Sequence, residues 1–173
     1  MARPGGAIEL ALDARVRGIP ARIWPLVSEP EMLTAWFAFA ERFEVLEGEG
    51  EGRRQRLHSL RRDMDSEVDQ VVTDFEPPRL ITWRNVAERL GGEPAPRFAS
   101  ETRFAIELRA DGPNTIVTLR GSQVPSTRWR GLLIRRFGSR ETLKLMERSL
   151  ARLVLLAEEL DGPGATTAGP PLS

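Results

Sequence analysis

His58 is the single histidine among 173 residues. It is therefore the one side chain whose ordinary pKa puts proton exchange near neutral pH, and the obvious candidate general base. It lies in Arg56-Leu57-His58-Ser59-Leu60, a stretch that also carries Arg53, Arg54, Arg61 and Arg62. An arginine turned inward beside it, with Arg56 as the candidate anchor, would clamp a carboxylate, a phosphate or a polarised carbonyl. Parity leaves the facing of His58 open, since Leu60 shares its parity and Leu57 opposes it. A surface histidine among solvated arginines is the competing reading.

Other chemistries are excluded by composition. There is no cysteine, so disulfides, thiolate catalysis and cysteine–zinc sites are out, and one histidine cannot build a multi-histidine metal site. No tyrosine hydroxyl is available, and Lys144 is the only lysine beside 24 arginines. No G-x-S-x-G occurs. Asp63, Asp65, Glu67 and Asp69 imitate a calcium loop, but Val68 occupies its glycine position and Asp74 the position of its bidentate glutamate. The Gly48, Gly50, Gly52 run precedes an arginine-rich strand pattern rather than a helix, so it is no phosphate cradle. Neither metal nor cofactor is expected. Twenty-five basic against 25 acidic residues argue against a nucleic-acid partner.

The elements that must position these residues follow from periodicity. Residues 8–16 alternate, with Ile8, Leu10, Leu12, Ala14 and Val16 on one face, which predicts a half-buried strand. Pro20 suits a helix start, Pro25 a short or bent helix, and Ser28-Glu29-Pro30 a second short helix through Trp36. Strands are predicted over 43–47, 53–62, 68–75, 80–86, around 102–109 and 115–121, with turns at Gly48–Gly52, Asp63–Asp65, Pro77-Pro78 and Asp111–Asn114. Gly91–Pro96 reads as a longer loop. A short helix around Trp129–Phe137 and a break at Gly138-Ser139 precede a long C-terminal helix with Leu143, Met146, Leu150, Leu153, Ala157 and Leu160 in one stripe. The architecture is α+β: a curved antiparallel sheet of about seven strands wrapped on the last helix. One domain over 7–160 is expected, with flexible tails at 1–6 and 161–173.

Four motifs carry a resemblance: Pro20-Ala-Arg-Ile-Trp24 with Ser28-Glu-Pro30 and Trp36, the Gly48–Gly52 turn, Phe75-Glu-Pro77-Pro78-Arg79-Leu80, and Asn114-Thr115-Ile-Val117-Thr118-Leu119. In this order they resemble the START-like, helix-grip (SRPBCC) superfamily, and its polyketide cyclase/dehydrase-like group most. The group of chaperone-ATPase activators is less similar, because its Gly-Trp near the last helix is not found here. The resemblance implies an elongated cavity between sheet and long helix for a hydrophobic or amphipathic, lipid- or polyketide-like small molecule. It carries no catalytic motif.

Trp36, Phe39, Trp83, Phe104, Ile106, Trp129, Leu133, Phe137 and Met146 fall on elements that would surround such a cavity. Plain core packing is the competing reading. A ligand burying ~300 Å² of apolar surface would gain roughly 7 kcal/mol gross, leaving micromolar or weaker affinity after association costs. Ligand binding, cyclisation or dehydration with His58 as base, and protein docking on the helix row Arg136, Arg140, Lys144, Arg148 and Arg152 are the three functional readings. That row could equally be a solvated face paired with Glu141 and Glu147, or meet anionic lipid headgroups. A cytoplasmic location is expected, because MARPGGAIEL lacks a signal-peptide core and the longest apolar runs, such as Leu153–Ala157, are too short to span a membrane; a monomer or homodimer is expected as well.

Overall fold

The structure is a computed structural model describing residues 6–97 and 99–162, with the backbone alone at Phe137. Strand β1 (Ile8–Arg17) leads into helices α1 (Pro20–Ser28) and α2 (Pro30–Trp36). Strands β2 (Arg42–Glu47), β3 (Arg54–Arg61), β4 (Met64–Glu76), β5 (Leu80–Leu90), β6 (Glu93–Pro94), β7 (Ala99–Asp111) and β8 (Asn114–Pro125) follow. Helix α3 (Arg128–Leu133) then passes through a π-helical turn (Ile134–Gly138) into α4 (Ser139–Asp161). The sheet is antiparallel in the order β1-β8-β7-β5-β4-β3-β2, with β6 paired to β5. This is the helix-grip arrangement.

The helices lie on one face of the sheet, here the inner face. Helix α4 packs on β1 and α2, α1 on β7 and β8, and α2 on β2. Met146, Leu150, Leu153 and Ala157 of α4 are buried against Val16, Ile106, Val117 and Leu119 of the sheet in one core. Pro25 sits within α1, yet the helix continues for one more turn to Ser28. Proline removes its own donor and crowds the carbonyl one turn back, but the N–H groups that follow still close, as Glu29 N does onto Pro25 O at 3.1 Å.

Four local expectations are corrected. The β3–β4 turn is Arg62-Asp63, both at positive φ (49° and 62°), and Met64 already pairs with Arg61. The Gly91–Pro96 stretch contains β6 rather than loop alone. Gly138 stays in right-handed helical conformation (φ −68°, ψ −36°), so no break separates α3 from α4; the π-helical turn absorbs the offset instead. Leu160 is exposed, whereas the rest of its stripe is buried or half-buried. At that end Asp161 is held by Arg17 at 3.0 Å and Arg22 at 2.8 Å, so the helix runs one residue into the segment expected to be a tail. Most of the expected tails, residues 1–5 and 163–173, lies outside the described residues.

Candidate functional site

The two faces of β3 separate the candidate residues. Gln55 and Leu57 are buried on the inner face, so Arg54, Arg56 and His58 alternate onto the outer one. The registers put His58 opposite Arg42 and Glu67, and Arg56 opposite Glu44 and Asp69. His58 Nε2 lies 2.9 Å from Glu44 Oε2 and 3.1 Å from the Arg42 guanidinium, with Nδ1 3.8 Å from Glu67 Oε1. Arg56 donates to both oxygens of Asp69, at 2.6 and 3.2 Å, and Arg89 spans Asp69 and Glu67 at 3.1 and 3.0 Å. The candidate base and anchor therefore belong to an ionic ladder across β2–β5 on the face away from the helices. Neither lines the interior.

Charge partnership sets the titration of this ladder. The hydrogen bonds from Arg56, and then from Arg89, hold the Asp69 carboxyl below its ordinary value against the opposing effect of burial. Glu44 is lowered by its hydrogen bond with His58, with the Arg42 charge adding to it. A carboxylate whose folded pKa is depressed stabilises the fold above its unfolded pKa, and that contribution is lost as pH falls through the folded value. Asp69→Asn is therefore expected to lower stability at neutral pH and to flatten the acid limb. Urea midpoints between pH ~7 and ~3 check this, and an unchanged difference between the two pH values would contradict it.

The inner face has a different polar system. Of the five arginines around β3, one turns inward: Arg53, 6% exposed. Its Nη1 donates to Ser28 O at 3.0 Å, at the carbonyl end of α1, and its Nε and Nη2 donate to Gln55 Oε1 at 3.1 and 2.9 Å. Gln55 Nε2 donates to Gln70 Oε1 at 3.0 Å, Gln70 Nε2 to Asn85 Oδ1 at 3.1 Å, and Asn85 Nδ2 to Glu88 Oε1 at 3.0 Å. Every donor in this row points the same way, from a guanidinium through three amides to a carboxylate. Such a chain polarises its members cooperatively. Burial pulls the Arg53 pKa below the ordinary arginine value, with the Glu31 charge opposing that in part. Little in the sequence signals this row, because polar residues on a strand read as solvent-facing.

Beside the row lies an aromatic cluster. Phe37, from the α2–β2 connection, is 2% exposed and has ring centroids within 5.9 Å of Trp36, Phe39, Phe43, Trp83 and Phe104. Trp83 and Phe104 stack at 5.5 Å across a β5–β7 pair, and Phe104 pairs onward with Gly121 of β8. Trp36 Nε1 donates to Leu26 O at 2.7 Å, which satisfies its one polar atom while the ring is buried. Of the nine expected cavity residues, Trp36, Trp83, Ile106 and Met146 are buried, and Phe39 and Phe104 are half-buried against them. Leu133 is half-buried on α3, and the side chain of Phe137 lies outside the described residues. Trp129 is 68% exposed, because α3 turns Gly131 inward against Pro125 and leaves Trp129 outside.

The sheet forks where the two systems meet. β5 pairs with β7 from Leu80–Glu107 to Arg84–Arg103, after which β5 continues with β4 and the short β6. Asn85 is the first residue past the fork. On the described surface, two concavities open to solvent lie elsewhere: about 580 Å³ around Arg17, Ile19, Arg22 and Asp161, and about 240 Å³ around Pro125, Gly131 and Leu132. In this conformation Phe37 and its neighbours occupy the space between sheet and helices, so a ligand there must displace side chains.

Residues 8–158 match the family model described as "Polyketide cyclase / dehydrase and lipid transport". The chain belongs to this family. Among solved structures, Zhui aromatase/cyclase from Streptomyces sp. R1128 superimposes with a TM-score of 0.74 at 16% identity, over 94% of this chain and 100% of that one. TTHA0849 from Thermus thermophilus gives 0.70 at 15% identity, over 90% and 100%. Ara h 8.0201 gives 0.66 at 9% identity, over 89% and 99%. These likenesses establish the shared helix-grip fold. No curated protein matches in sequence. Family and fold together point to hydrophobic-ligand binding or polyketide cyclase-like function, and no helix of the described residues is long and apolar enough to cross a membrane.

Proposed function

We propose that this member of the polyketide cyclase/dehydrase and lipid transport family binds one amphipathic small molecule on the inner face of the sheet, at the fork. Its apolar body rests on Phe39 and Phe104, the half-buried rings of the aromatic cluster, and its polar end meets Asn85 and Glu88. The observation that carries this reading is the Arg53–Gln55–Gln70–Asn85–Glu88 row, which runs from a buried guanidinium to the edge of the aromatic cluster. Amide groups that both donate and accept suit a ligand with hydroxyl or carbonyl oxygens, and the apolar wall supplies most of the affinity. Gly121 pairs with Phe104 and has no side chain; a Cβ there would make ordinary contact with the ring at 3.8 Å, and a longer side chain would extend over it.

A cyclase reading has one specific support, the carboxylate that ends the row. Glu88, with a carboxylate oxygen accepting from Asn85, then takes the role of base that the outward His58 cannot fill. Native mass spectrometry on gently purified protein, with organic extraction of what is bound, tests the binding reading. A stoichiometric adduct is expected that is lost in Gly121→Leu and retained in His58→Ala. An adduct that survives Gly121→Leu and disappears in His58→Ala would contradict it. Glu88→Gln would retain the adduct in either case and abolish turnover only if the protein is a cyclase.

A further inference from the structure

The stretch from Ser126 to Arg140 contains five arginines and no acidic residue, in a chain whose total charge is zero. It forms α3, the π-helical turn and the first residues of α4. Arg128, Arg135 and Arg140 are exposed, and none of the three has a carboxylate partner among the described residues. Two large apolar side chains stand out beside them: Trp129 at 68% and Leu132 at 54% exposure, spaced three apart and so on neighbouring faces of α3. The inward position between them is Gly131, whose Cβ would lie 3.1 Å from Pro125, so α3 is fixed against the end of β8 with this pair directed outward. Leu132, Arg128 and Arg135 also border the groove of about 240 Å³.

We propose that this segment docks on an anionic lipid bilayer surface. Arginine charge and exposed apolar mass in one short segment fit that partner better than an acidic protein would. Charge alone would serve an acidic protein, whereas an outward tryptophan and leucine gain from the headgroup–acyl boundary, where an indole places its ring in the apolar layer and its N–H in the wet one. The arginines attract the surface and hold the segment at it. The row from Arg136 in the π-helical turn to Arg152 on α4 is a weaker candidate: Lys144 pairs with Glu141 at 3.4 Å, and Glu147 is interspersed. This docking does not depend on the ligand reading, because its residues and those at the fork are different.

Vesicle co-sedimentation tests it, using phosphatidylcholine vesicles with and without about a third phosphatidylglycerol. Binding to the anionic vesicles alone is expected, weakening with salt. Replacing Arg128, Arg135 and Arg140 together by Gln should lower partitioning roughly 100-fold, at about fivefold per arginine. Trp129→Ala with Leu132→Ser should lower it at least about tenfold, since both exposed side chains would otherwise enter the interface. All five positions are exposed, and an unchanged thermal midpoint verifies that the variants fold. Brominated lipid should quench tryptophan emission in the native protein and not in Trp129→Phe, because Trp36 and Trp83 are buried and Trp24 packs edge-on against Phe75. Equal partitioning to neutral and anionic vesicles would overturn the proposal. So would partitioning that ignores Trp129 and Leu132, which would mark the surface as a purely electrostatic site for an acidic macromolecule.

Discussion

Gln55→Leu is expected to cost roughly 3–5 kcal/mol, a large share of the ~5–15 kcal/mol that stabilises a typical domain. Gln55 is fully buried and sits between a guanidinium and a second amide. Leucine fills similar space but strands the two Arg53 donors now aimed at Gln55 Oε1 and removes the donor to Gln70 Oε1. Each buried polar group left without a partner costs about 1–3 kcal/mol, and more when it is charged. Removing the charge as well should restore much of the loss, so Arg53→Met combined with Gln55→Leu is expected to be more stable than Gln55→Leu alone. Urea denaturation of the two single variants and the double variant measures the coupling. A Gln55→Leu cost under about 1 kcal/mol would mean that water, rather than this row, satisfies Arg53.

The second large effect is expected at Phe37. Phe37→Ala should cost about 3–5 kcal/mol, the usual range for deleting a buried ring, because five aromatic neighbours lose their common partner. At ~2–4 °C per kcal/mol for a chain of this size, the thermal midpoint should fall by about 10 °C. Phe39→Ala should cost clearly less, since that ring is only half-buried. Calorimetry on both variants decides the order. If Phe39 proved the costlier residue, the aromatic cluster would have its centre nearer the surface than the structure places it.

Legibility of the fold and of the site differed for physical reasons. Strands such as β1 and β7 announce themselves, because one face is wet and the other buried, and the alternation of Thr102, Phe104, Ile106 and Leu108 survives in composition. That reading places Trp83 and Phe104 among the cavity candidates, but their stacking rests on the β5–β7 register. Phe37 was invisible because it leaves α2 in a connection with no period, and only the tertiary fold turns it inward. The facing of His58 hinged on Leu60, which shares its parity but is 54% exposed near the hairpin end, where apolar content no longer marks a buried face. Trp129 was expected inside because aromatic rings usually are, yet the buried position of α3 is Gly131, a residue that periodicity arguments pass over. The inner polar row was the hardest to see. Arg53, Gln55 and Gln70 alternate as a surface strand would, and only the pairing of β3 with β4, and of β4 with β5, reveals that they satisfy one another.

The central claim, an amphipathic ligand held at the fork of the inner face, is tested most directly by mapping where such a molecule binds. The measurement is amide chemical-shift perturbation by NMR during titration with 1-anilinonaphthalene-8-sulfonate, an aromatic compound with a polar end. Saturable shifts are expected at Phe37, Phe39, Asn85, Phe104 and Gly121, all abolished by Gly121→Leu. Shifts confined to the groove at Leu132 and Gly131, or to the outer ladder around His58 and Asp69, with Asn85 and Phe104 unmoved, would contradict it.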